Sequence, residues 1–182
     1  VGTLSGHEAP AICCDVDGND TTVASGGEDG TVCLFDLRTR ELTGRYVDLG
    51  GDAVTSVCFS PADPHTMYTA SEGTICCIDL KKGPGSEGIV RRYDFNTEEI
   101  NQVAVNLKGT FLAAADDAGE IKVVDLEKGQ LFKTLRGQHE NICSGVVFRP
   151  RKPWEAVSAG MDCRVVRWDF NRGKALGDFT RG

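Results

Sequence analysis

The 182-residue chain is 40% hydrophobic and 26% charged, carries 22 glycines and has a net charge of -7. That balance supports a folded core broken by frequent turns, and the acidic excess argues against sequence-independent binding to phosphate backbones, which needs clustered Lys and Arg. No apolar run approaches the ~18 residues of a membrane span, and the residues from Val1 show no charged-then-apolar leader, so neither membrane nor targeting is expected.

In chain order, residues 1–4 read as an outer strand that arrives ahead of its own sheet. A loop carrying His7 follows, then VASGG from Val23 as a second strand, TVCLFDL as a third, and a fourth at 41–47. The same phrase returns three times. It reads VTSVCFSP, MYTAS from Met67, TICCIDL and 89–95, and next FLAAA from Phe111, EIKVVDL and 130–135. Its last copy is ICSGVVFRP, AVSAG from Ala156, RVVRWDF and 174–179. Inner and third strands alternate apolar residues with period two, and the third strands are β-branched, as half-buried strands require. Small residues in the second strands allow neighbouring sheets to approach closely. The copies end at Phe35-Asp36, Ile78-Asp79, Val124-Asp125 and Trp168-Asp169, spaced 43, 46 and 44 residues apart, and divide the chain at 5–47, 48–95, 96–135 and 136–182.

This period and these endings resemble the WD-repeat family, whose repeats each supply one four-stranded blade of a β-propeller. The resemblance implies an all-β chain of four blades forming part of a larger propeller, ordinarily of seven, and a non-enzymatic role in holding other proteins. EEIN at Glu98 and HENICSGVVFRP from His139 are not generic blade residues and resemble one branch of the family. That branch implies a candidate substrate receptor of cullin-4 RING ubiquitin ligases, cytoplasmic or nuclear.

Repeat four carries His139, Ser158, Asp162 and Trp168. Asp can accept from the His ring N–H, His can accept the Ser hydroxyl, and Ser can accept the indole N–H. The set mimics a hydrolase triad, but no strained GxSxG turn is present, so no catalytic residue is expected. Repeat one has His7, Ser25 and Asp29 with Phe35 for Trp, repeat two has a turn one residue short, and repeat three has Ala114 and Val124 for Ser and Trp. Strict motif matching is therefore expected to lose both middle repeats. The eight cysteines include no CxxC, and neighbours such as Cys13-Cys14 and Cys76-Cys77 point to opposite strand faces. Free thiols in a reducing compartment are expected, with no metal or cofactor.

Two binding surfaces are expected. The segment 23–38, VASGGEDGTVCLFDLR, resembles the WD box that docks on the propeller adaptor of cullin-4 ligases, with Asp36 and Arg38 as candidate contacts. The corresponding positions elsewhere are Lys81, Glu127 and Asn171. Separately, Glu28, Asp52, Glu98, Glu99, Asp116, Asp117 and Glu140 fall in loops assigned to one side, with only Arg136 opposing them, and would attract a basic, histone-like peptide. Such acids also simply cap tight turns. Basic residues collect in the other loops, including RPRKPW at 149–154, which reads as a stiff projection rather than a groove, with Trp154 as a protein anchor. That basic side leaves an RNA or ribonucleoprotein assembly scaffold as an alternative; small-molecule substrates are not expected.

Overall fold

The computed structural model describes residues 2–51 and 53–178. Strands β1 (Ala11–Val16), β2 (Thr22–Gly27), β3 (Val32–Asp36) and β4 (Leu42–Tyr46) form blade one. Blade two contains β5 (Ser56–Phe59), β6 (Thr66–Ser71), β7 (Thr74–Asp79) and β8 (Ile89–Tyr93). Blade three contains β9 (Ile100–Val105), β10 (Phe111–Asp116), β11 (Ile121–Asp125) and β12 (Gln130–Leu135). Blade four contains β13 (Cys143–Phe148), β14 (Glu155–Gly160), β15 (Val165–Asp169) and β16 (Lys174–Asp178). Every ladder is antiparallel and joins strands adjacent in sequence. Blades one and two form one compact unit, Val1–Asp94, and blades three and four a second, Phe95–Gly182.

Each unit buries an apolar seam between its two sheets. In the first, Ala24, Val32, Leu34 and Tyr46 meet Val57, Phe59, Met67 and Ile78. In the second, Ala113, Ala115, Ile121 and Val123 meet Val146, Ala156, Val166, Trp168 and Phe170. Burying each large side chain contributes about 1.5–3 kcal/mol. The small second-strand residues set the spacing. A Cβ on Gly26 would lie 2.6 Å from Val54 Cγ1 and 2.7 Å from Cys13 Sγ, so a methyl there overpacks the seam.

One irregularity recurs in all four blades. The third-to-fourth ladder slips between Leu34 and Phe35, Cys77 and Ile78, Val123 and Val124, and Arg167 and Trp168. The extra residue lies on the fourth strand, as Thr43, Val90, Phe132 or Leu176, and such a bulge increases the local twist. Tight turns between second and third strands use left-handed residues: Gly30 (φ 68°), Gly119 (φ 74°) and, in blade four, Cys163 (φ 64°). Residues 2–4, expected as an outer strand, have no strand conformation, because no described residue pairs with their backbone. The expected end of the last strand, Phe179, lies outside the described residues. No described helix is long and apolar enough to cross a membrane.

Candidate protein-interaction surfaces

In blade four His139 is delivered by the loop before β13, Asp162 by the turn after β14, Ser158 by β14 and Trp168 by β15. His139 Nδ1 lies 3.1 Å from Asp162, its Nε2 lies 2.7 Å from Ser158 Oγ, and Trp168 Nε1 donates to the same hydroxyl at 2.8 Å. A carboxylate only accepts, so Nδ1 carries the proton and Nε2 accepts the Ser hydroxyl. Ser158 is 1% exposed, and its oxygen already holds an indole N–H. This Ser–His–Asp set therefore ties the loop to the sheet; substrate has no access to its hydroxyl. Burial alone would raise the Asp162 carboxyl, but hydrogen bonds from the His139 ring and the Glu140 and Arg164 N–H groups outweigh it and hold it below the usual carboxylate range.

Blade one repeats the tie without the Trp. His7 lies 3.1 Å from Asp29 and 2.7 Å from Ser25 Oγ. Thr31 adds a hydroxyl donor to Asp29 at 2.7 Å, and the Glu8 N–H donates at 2.8 Å. Here too burial is outweighed by these donors, and the Asp29 carboxyl sits well below its ordinary range. Two glycines make room for the imidazoles. A Cβ on Gly27 would come within 2.7 Å of His7 Nδ1, and one on Gly160 within 2.5 Å of His139 Nδ1.

The middle blades use other atoms. In blade three Asp116 stands at the glycine position and accepts from Asn96 Nδ2 at 2.8 Å and from the Glu120 N–H at 3.0 Å. Asn96 comes from the loop position that supplies histidine in blades one and four. In blade two Ser71 stands there and donates to the Ala53 carbonyl at 2.6 Å. By sequence the device looks incomplete in these repeats, because the pattern is carried by His and Ser rather than by any polar residue at the end of the second strand.

The Asp that closes each third strand caps the following turn. Asp36 accepts the N–H groups of Arg38 at 2.8 Å and Thr39 at 2.7 Å, which lowers its carboxyl pKa, the Thr39 N–H contributing most. Asp79, Asp125 and Asp169 cap the same way, through Lys81, Lys128 and Arg172. Asp36 is thus occupied by its own turn, and what it presents outward is Arg38. That side chain is exposed and has no hydrogen-bond or ion-pair partner among the described residues.

The description "WD domain, G-beta repeat" matches residues 1–36 and 41–79. Over 95% of its length the chain is 35% identical to the WD repeat-containing protein 53 homolog of Dictyostelium discoideum, of which it covers 47%. The chain contains WD repeats. It is also 26% identical to Protein SLOW WALKER 1 of Arabidopsis thaliana, over 69% of this chain and 23% of that protein. A third relative, Pre-mRNA-processing factor 19 homolog 2 of the same plant, is 26% identical over 98% of this chain and 33% of its own length. The WD-repeat chain thus spans about half of the first relative and a third or less of the others. The family match includes the second repeat, contrary to expectation, but not the third; it also stops short of the fourth, so the full polar set is not what decides it.

The acidic candidates of this WD-repeat chain separate into distinct groups. Glu28, Glu98 and Glu99 are exposed. Asp117 accepts from Asn101 Nδ2 at 2.8 Å, and its N–H donates to the Glu99 carbonyl. Asp116, expected on a peptide-binding surface, is 1% exposed, and burial raises its carboxyl pKa despite the Glu120 and Asn96 donors. Glu140 is exposed but paired with Arg164, whose other Nη donates to the Gln138 carbonyl, both at 2.8 Å. Arg136 is therefore not the sole opposing cation: Arg164 opposes in unit two, and in unit one Arg45 reaches Glu8 at 3.1 Å and Asp29 at 3.3 Å. Both were missed because a long guanidinium stem carries its charge away from the strand end where the residue is counted. Asp52 lies outside the described residues.

The segment 149–154 was expected to project; instead it forms a wall of a cleft of about 520 Å³ in unit two, opposite residues 106–111. Trp154 is 41% exposed, with its ring 5.5 Å from Phe170 and 5.7 Å from Phe111. Cys33, Cys76, Cys77 and Cys143 are buried where strands need small apolar residues, and no disulfide forms among the described residues. Burial pushes the Cys13 and Cys143 thiols up to about 11. Among the described residues no three His, Cys, Asp or Glu side chains converge as a metal site would need.

Proposed function

We propose that this chain is part of a protein-binding scaffold and that its first blade docks on the propeller adaptor of a cullin-4 ubiquitin ligase through Arg38, the larger protein serving as substrate receptor. The observation that carries the reading is the turn after β3. Asp36 is spent on holding the turn, while the Arg38 guanidinium points into solvent with no partner of its own among the described residues. A guanidinium presented on a braced turn loses little freedom on binding and forms forked bonds to a carboxylate or carbonyls. Blades two, three and four have Lys81, Glu127 and Asn171 at that position, so the fork is specific to blade one.

Capture of the purified adaptor by the full-length protein, beside an Arg38→Ala variant of unchanged melting temperature, tests the proposal. Loss of the Arg is expected to weaken docking by about 2–5 kcal/mol, the range for a buried interfacial charge whose partner is left unpaired. Equal capture by both versions, or by neither, would sink it.

A further inference from the structure

We propose that the cleft between residues 106–111 and 149–154 is a docking groove for an acidic protein segment that carries one bulky apolar side chain. Its floor is aromatic: Phe111, Phe148 and Trp154 line it, and Leu107, 63% exposed, stands at its edge. Its volume of about 520 Å³ exceeds what one aromatic side chain fills, and falls in the range of ~300–1,000 Å³ typical of ligand sites.

Charge selects the occupant. Lys108, Arg151 and Lys152 on the rim are exposed and have no ion-pair partner among the described residues. The other lining cation, Arg149, is already paired with Glu155. Of the two lining acids, Asp125 caps its own turn and pairs with Lys128 at 3.5 Å, leaving only Glu127 against three free cations. The rim therefore presents net positive charge, in a chain whose total charge is -7. Trp154 supplies a further donor, because its indole N–H has no partner among the described residues while its ring is fixed by Phe111, Phe132 and Phe170.

The wall is also braced before any partner arrives. Arg149 N–H donates to the Glu155 carbonyl at 3.0 Å, Lys152 N–H to Arg149 at 3.1 Å, and Phe170 N–H to Trp154 at 2.9 Å. Pro150 and Pro153 restrict the rest of the loop. Binding thus orders the incoming segment far more than the groove, which lowers its entropic cost. Arg38 plays no part in this groove, so the two proposals stand or fall separately.

The test is fluorescence anisotropy of the whole chain with a labelled peptide in which one Phe is flanked by runs of Asp and Glu, alongside Phe→Ala, Ser-flanked and Lys-flanked versions. Saturable binding of the acidic Phe peptide is expected, weakened about tenfold or more by the exposed double reversal Arg151→Glu with Lys152→Glu and by added salt. Leu107→Ser, an uncharged change also on the surface, is expected to weaken the Phe peptide and leave the Phe→Ala peptide unchanged. No saturable binding, equal binding to the reversal variant, equal binding of the Phe→Ala peptide, or preference for the Lys-flanked peptide would each overturn the proposal. Displacement of the peptide by single-stranded RNA that binds more tightly would also overturn it, in favour of a nucleic-acid surface.

Discussion

In blade four, Gly160 leaves open the space through which His139 reaches Asp162, whereas in blade three Asp116 occupies the corresponding place and itself fills that space. Both arrangements tie the incoming loop to the end of the second strand, although in blade three the buried Asn96 Oδ1 has no partner among the described residues. The chemistry underneath differs in sign. In blade four a charged carboxylate is stabilised by several donors, while in blade three a nearly inaccessible one has fewer and is pushed towards its neutral form. The blades thus share a polar tether at this place, and several residue sets provide one.

Deleting the tether in each blade should rank the two solutions. His139→Ala removes one donor to Asp162 and the acceptor of the Ser158 hydroxyl, two bonds where Asn96 supplies one, and is expected to cost about 2–5 kcal/mol in urea unfolding. Asn96→Ala removes one donor to Asp116 and is expected to cost about 1–3 kcal/mol. Equal losses would mean that the two ties are energetically equivalent, against the difference in their donors.

Acid should move the two carboxylates in opposite directions. Asp162 has a depressed folded pKa, so its stabilisation is present above the ordinary carboxyl value of about 4 and disappears as pH falls from there through the depressed value. Asp116 has a raised folded pKa. Its favourable contribution is complete below about pH 4 and is lost as pH rises through the raised value. Stability differences of Asp162→Asn and Asp116→Asn from the parent, measured across that acid range, are expected to change with opposite slopes. Parallel slopes would break the contrast.

Blade one sharpens the comparison at a neighbouring position, where Gly26 stands and blades two, three and four have Ala70, Ala115 and Ala159. Gly26→Ala is expected to lose about 1–3 kcal/mol, because the methyl would meet Val54 and Cys13. The smallest effect is expected at Cys163, exposed and left-handed where blades one and three carry glycine. Cys163→Gly should raise the melting temperature slightly, by about 1 kcal/mol of relieved strain.

The four-strand phrase was legible because period-two alternation, small second-strand residues and Asp-Gly turns act over a few neighbouring residues. Trp168, Ser158, His139 and Asp162 were legible as mutual partners because donor and acceptor capacity is a property of each residue type. Asn96 with Asp116 was not, since neither side chain announces a tether until the loop folds back on β10. Residues 2–4 looked like a strand by composition, yet a strand exists only through its ladder.

By itself, then, the sequence determined the repeat, the all-β class and the position of each closing Asp, all of which follow from local periodicity and turn chemistry. Tertiary structure decided which charges are spent and which are free. It buried Asp116, paired Glu140 with Arg164, left Arg38 outside and stood Trp154 on an aromatic floor. Exposure and pairing arise between residues far apart in the chain, and a guanidinium or indole takes its role from whatever the fold brings within a few ångströms of it.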